Sequence, residues 1–171
     1  MAFIGTNNNV LSFAEYDDVL ATDQRLFEAN EGLSEVIVED ACVRATDRIL
    51  TLIRASDWWR EYYTRQSKGN VSYTSGMISV PAPNPNKILA RQADFTDLAV
   101  YYALAEILLP KVADFGQGDN AERQKILFYN DKYKALLQEL LDAGDWYDFS
   151  GDAVITNDEK MPSRHNIVRV R

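Results

Sequence analysis

Hydrophobic residues recur at three- and four-residue steps over most of the chain, the spacing that lines one face of an α-helix. Val36, Ile37, Ala41, Ala45, Ile49, Leu52 and Ile53 make one such stripe, with Cys42 and Val43 at its border and Glu39, Asp40, Arg44, Asp47 and Arg48 opposite. The stripe predicts a long amphipathic helix from Glu35 to about Ala55, capped by Ser34, with Cys42 at or near the core. A second stripe, Phe95, Leu98, Ala99, Tyr102, Ala105 and Leu109, is widened by Tyr101, Leu104 and Leu108 until the helix is apolar nearly all round. That helix is expected at the centre of the fold, capped by Asp94 and ended or kinked by Pro110, whose ring removes a donor and clashes with the preceding turn. A third helix is expected from Asn120 to about Asp142, with Ile126, Tyr129, Tyr133, Leu136, Leu137, Leu140 and Leu141 on its apolar side. Gly116-Gln117-Gly118 supplies the break before it, and Gly144 stands where a left-handed C-cap belongs.

Shorter elements fill the intervals. Ser12-Phe13-Ala14-Glu15 has the form of a capping box opening a short helix to about Leu20; Thr22 or Asp23 caps another containing Leu26 and Phe27, and Gly32 stops it. Ser56 and Asp57 restart the chain into Trp58-Trp59-Arg60-Glu61-Tyr62-Tyr63, a helical segment with aromatics on more than one side. From Ser67 to Lys87 the helical pattern lapses into Ser, Gly, Asn and Pro. Val71-Ser72-Tyr73-Thr74 and Met77-Ile78-Ser79-Val80 around Ser75-Gly76 suit a β-hairpin, and Pro81, Pro83 and Pro85 force an extended path, so the stretch reads as a projecting arm. After Gly144 the chain turns irregular, with a β-prone Ala153-Val154-Ile155-Thr156. Asn166 to Arg171 ends in strand-like alternation, Val168 and Val170 against Ile167, Arg169 and Arg171. The expected fold class is mainly α: a helical bundle of about three longer and several short helices, with a central extended β-hairpin-like arm and an extended C-terminal tail. Residues 1–159, including the arm at 67–87, form the helical domain, and residues 160–171 form a docking tail.

Composition narrows the class. With 171 residues, 46% of them hydrophobic and 26% charged, the chain falls in the range of one ordinary globular domain. No apolar run approaches the roughly 20 residues that cross a bilayer, and Met1 to Leu11 lacks the basic start of a signal peptide. A single cysteine, Cys42, and a single histidine, His165, exclude an internal disulfide and the usual paired Cys and His zinc frameworks. The formal charge is −8, but residues 160–171 carry Lys160, Arg164, Arg169 and Arg171 and no acid, which leaves −12 on the body. An acidic body with a basic end suits docking of that end on a partner, and argues against wrapping of nucleic acid.

Motifs of catalysis are missing. No Walker loop, dinucleotide fingerprint or Gly-x-Ser-x-Gly elbow occurs. His165 would be the base of any Ser–His or Cys–His pair, yet it lies in the polar tail, where a solvated role is expected. Asp145, Asp148 and Asp152 do not follow the ligand spacing of an EF-hand calcium loop. Asp17-Asp18 and Glu39-Asp40 read as solvated helix faces. Trp58, Trp59, Tyr62 and Tyr63 would stack nucleic-acid bases only beside a basic groove, and Asp57 and Glu61 offset the nearby Arg54, Arg60, Arg65 and Lys68, so packing against the bundle or a neighbouring subunit is the favoured use. The reading is of a protein with no catalytic residues, no cofactor and no metal.

The order of elements resembles a family. Short N-terminal helices, a long helix centred on Ala41-Cys42-Val43-Arg44-Ala45, an extended excursion, two further helices, and the ending Leu140-Leu141-Asp142-Ala143-Gly144-Asp145-Trp146-Tyr147-Asp148 with Ser150-Gly151-Asp152 are similar to the head–tail connector adaptors of tailed bacteriophages. The resemblance implies a structural virion protein at the head–tail interface, found in the host cytoplasm during assembly. It would form a homo-dodecameric ring below the portal protein, continue the DNA channel without binding DNA specifically, and offer a surface to a stopper or tail-completion protein, with no membrane partner. It further implies that the C-terminal segment joins the portal. The matching residues are Arg164, Asn166, Ile167, Val168, Arg169, Val170 and Arg171, whose alternation suits adding a strand to an exposed sheet edge. The alternatives are another tail-completion or virion interaction protein, and a small DNA-binding module.

Overall fold

A computed structural model describes residues 4–6, 9–30, 32–68, 80–113, 121–157 and 159–160. The chain opens with a short antiparallel pair, β1 (Ile4–Thr6) and β2 (Asn9–Ser12), with Gly5 opposite Val10 and an irregularity after Ile4. Helices α1 (Tyr16–Thr22), α2 (Gln24–Ala29), α3 (Glu35–Ala55) and α4 (Asp57–Lys68) follow. A 3-10 turn at Pro85–Lys87 leads into α5 (Gln92–Tyr102), which continues through a π-helical stretch, Ala103–Leu108, into α6 (Leu109–Val112). The last helix is α7 (Ala121–Ala143). The fold is mainly α, as the periodicity predicts.

The α5–π–α6 rod is the centre of the core. Phe95, Leu98, Ala99, Ala103, Leu104, Leu108 and Leu109 along it are buried, and it lies between α3 and α7. Its broad buried face follows from the widened apolar stripe, but burial is not all round: Asp97, Glu106 and Lys111 leave one edge of the rod exposed. Pro110 does not end the helix, which runs on to Val112; the turn before it is widened, the Leu109 N–H donating to the Leu104 carbonyl, five residues back. A wider turn relieves the clash between the proline ring and the carbonyl four residues earlier. Asp94 falls in the first turn of α5 rather than at its cap; Arg91 is the cap, at φ 57°, with its Nε 2.7 Å from Asp94 and its other guanidinium end bonded to Glu139 on α7.

Helix α3 keeps its predicted bounds but not the start of its stripe. Val38, Ala41, Cys42, Ala45, Ile49 and Ile53 face the core, whereas Val36 is 74% exposed and Ile37 lies at the surface. Cys42 is in the core as expected, and burial, reinforced by the Asp18 and Glu39 charges, pushes its thiol up to about 12. A thiol held protonated in this way is a packing residue, not a nucleophile.

The N-terminal capping box is displaced by one turn. Ser12 ends β2, and the reciprocal bonds are made by Glu15 and Asp18 at the start of α1. The intervening Phe13 is drawn into the core, its ring edge-on to Phe95 at 5.3 Å. Its peptide groups are met by two threonines: Phe13 N–H donates to Thr46 Oγ1 on α3, and Thr96 Oγ1 on α5 donates to the Phe13 carbonyl. Irregular backbone enters a dry interior only with such partners. Asp23 caps α2 as predicted, accepting from the Leu26 N–H. Its carboxylate also meets Lys125 Nζ of α7 at 2.7 Å from both oxygens and the Tyr129 hydroxyl at 3.3 Å.

Candidate functional site

The part of the chain that prepares the C-terminal tail is the stretch after α7. Gly144 takes φ 56° and its N–H donates to the Leu140 carbonyl, so the helix ends in the predicted left-handed cap. The turn aims Trp146 inward. Trp146 is fully buried, and its indole N–H donates to the Leu140 carbonyl at 2.7 Å. The segment then pairs with residues 84–90: Tyr147 bridges Ile88, the Trp146 carbonyl accepts from Leu89, the Asp148 N–H donates to the Lys87 carbonyl, and the Asn84 N–H donates to the Tyr147 hydroxyl.

Together these residues complete an aromatic nest on α4. Trp58 lies 4.7 Å from Trp146, Trp59 4.8 Å from Tyr147, and Tyr62 stacks on Phe149 at 3.7 Å between ring centres. The α4 aromatics thus meet the chain's own post-α7 segment, with Trp58 and Trp59 buried and Tyr62 and Tyr63 half-buried. Trp59 also donates its indole N–H to the Pro81 carbonyl, and Arg54 Nε donates to the Val80 carbonyl. Residues 80–87 consequently run back along α3 and α4 instead of projecting, with Pro83 buried. Helix α4 continues through Lys68, past the expected start of the arm at 67. The hairpin proper, residues 71–79, lies outside the described residues, as do Gly116-Gln117-Gly118 and Asn120.

Beyond Phe149 two buried carboxylates replace a hydrophobic core. Asp148 accepts from the Gly151 and Ala153 N–H groups and from the Ser150 hydroxyl. Glu159 accepts from the Ser150 and Thr156 N–H groups and the Thr156 hydroxyl. This is why Ala153-Val154-Ile155-Thr156 forms no strand: its backbone donors turn toward carboxylates, Gly151 and Ala153 adopt φ 83° and 64°, and Val154 is exposed. Lys87 adds its ammonium to the Phe149 carbonyl. Asp145 and Asp152 are exposed and do not converge with Asp148, and among the described residues no group of three or more His, Cys, Asp or Glu side chains could hold a metal ion.

Burial works against both carboxylates, but the donors win. Asp148 is held below the usual carboxylate range by Gly151, Ala153, Ser150 and the Lys87 charge, and Glu159 by Thr156 and Ser150. A depressed folded value means that the stabilisation is complete above the unfolded values, near 3.8 and 4.5, and is lost as pH falls from there through the folded ones. Protection factors at residues 150–156 are expected to fall as the pH drops below about 4.5, before those of α3 and α7; simultaneous loss throughout would show that the loop is not a separate unit.

The seven residues expected to bind the portal, Arg164 and Asn166 to Arg171, lie outside the described residues, as does His165. What the structure adds is the anchored post-α7 segment that precedes them in the chain, and two exposed apolar doublets. Val36 and Ile37 open α3; Leu127 and Phe128, each more than half exposed, lie in the first half of α7. Neither doublet was legible as surface, because each sits in or beside a regular apolar stripe. No helix among the described residues is long and apolar enough to cross a membrane. No family model, curated protein or solved structure matches the chain.

Proposed function

We propose that this chain is a structural subunit of a tailed-phage virion, a head–tail connector that forms a ring below the portal, continues the DNA channel and carries out no chemistry. The reading rests on the resemblance in element order and on one structural observation. The chain downstream of α7 is packed on the bundle as far as Phe149 by Trp146 and the Ile88–Tyr147 bridge, and the loop beyond it folds on itself around Asp148 and Glu159. A basic, alternating tail following such an anchored segment suits delivery of a strand to another protein's sheet edge. An acidic body of −12 suits a lumen along which DNA slides, because a basic wall would exchange counterions for phosphates and retain it.

Deleting residues 161–171 leaves the anchored segment intact and tests the tail alone. The truncated protein is expected to keep its far-ultraviolet circular dichroism and to lose attachment to portal-bearing heads in a sedimentation assay. Attachment at the full level would refute the tail's role.

A further inference from the structure

Two apolar surfaces of the described chain carry opposite charge. The first is the start of α3, where Val36 and Ile37 adjoin a hollow of about 530 Å³ lined by Leu33, Ile37, Val112 and Lys111. Residues 35–43 hold Glu35, Glu39 and Asp40 and no base, a formal −3, with Glu39 and Asp40 one turn from Val36. The second is the first half of α7, where Leu127 is 56% and Phe128 55% exposed and Lys132 stands 5.6 Å over the Phe128 ring. With Lys125 spent on Asp23, residues 121–134 hold Arg123, Lys132 and Lys134 against Glu122 and Asp131, a formal +1. Lys111 on the first surface and Asp131 on the second are complementary in the reverse sense.

We infer that the α3 surface of one copy of this chain receives the Leu127–Phe128 ridge of the next copy, a head-to-tail contact between unlike surfaces. The inference rests on the reading of the chain as a ring subunit and specifies which faces meet. Contacts between unlike surfaces repeat from copy to copy and close into a ring when their rotation allows, whereas a self-complementary patch stops at a dimer. The hollow beside Ile37 gives Phe128 a recess, and the opposed charges set the orientation of approach.

Cysteine cross-linking separates the possibilities. Val36→Cys and Leu127→Cys replace exposed side chains, and Cys42 is fully buried and does not compete. With a short bismaleimide at high protein concentration, the Val36→Cys, Leu127→Cys double variant is expected to give a ladder of multimers. The two single variants give a dimer only when mixed. A dimer from either single variant alone would indicate like-on-like pairing and overturn the inference, as would the absence of a ladder, which would assign these surfaces to a different partner. Reversing Glu39 and Asp40 to Lys should reduce the ladder several-fold, and adding Lys132→Glu and Lys134→Glu should restore it. A ladder from a protein that fails to attach to portal-bearing heads would sink the ring-below-portal reading and leave the lateral contact standing.

Discussion

Replacing Trp146 with alanine is expected to destabilise the protein by about 3 to 5 kcal/mol, the range for removing a large aromatic from a packed interior. Trp146 is fully buried between Trp58 at 4.7 Å and Phe95 at 4.8 Å, so its loss opens a cavity shared by α4, α5 and the post-α7 segment. The Leu140 carbonyl keeps a partner, because the Gly144 N–H also reaches it, and the loss is therefore one of packing more than of hydrogen bonding. The backbone pairing of residues 146–148 with 87–90 is only a single bridge with flanking bonds. It depends on the indole to hold it down. In urea the midpoint should fall with little change in slope, followed by circular dichroism so that the lost fluorophore does not interfere. A loss below about 1 kcal/mol would mean that the segment rests on the bundle without being part of its core.

Replacing Lys125 with methionine is expected to cost about 2 to 3 kcal/mol, less than the full penalty of breaking a buried pair because the lysine is itself about a third exposed. Asp23 is not: only 5% of its side chain is accessible. Without the ammonium it would keep the Leu26 N–H and the Tyr129 hydroxyl but hold an uncompensated charge at the junction of α1 and α2. Burial and the Asp23 charge already push the Tyr129 hydroxyl up to about 12, which keeps it a donor throughout the working range. Asp23→Asn preserves the cap acceptor while removing the charge. The two substitutions together should be less damaging than their sum by about 1 to 2 kcal/mol, and strict additivity would show that the pair contributes nothing beyond its separate contacts.

The long helices were legible because each has enough apolar positions at helical spacing for burial to override local detail. The bounds of α3, the broad buried face of the α5 rod and the Gly144 cap follow from residue order alone. The misses occur where a long-range partner decides. Ser12 and Glu15 satisfy the capping pattern, yet Thr46 and Thr96, from two distant helices, hold the Phe13 peptide groups outside a helix and postpone it to Tyr16. Ala153 to Thr156 have strand propensity, but Asp148 and Glu159 take their backbone donors. Val36 and Ile37 continue an apolar period past the point where the bundle ends, and no local signal marks that end. The anchored segment was half legible: the aromatics of residues 58–63 and 146–149 stood out singly, while their meeting depends on packing that composition does not encode.

The aromatic nest also has a timetable. Phe149 follows Trp59 by 90 residues, and at ordinary elongation rates that interval is roughly 5 to 20 s. Throughout it, two tryptophans on an emerging helix await the side chains that cover them. The nascent chain must finish folding after most of it has been synthesised, and a ribosome stalled before residue 146 would present an uncovered, sticky α4 to chaperones.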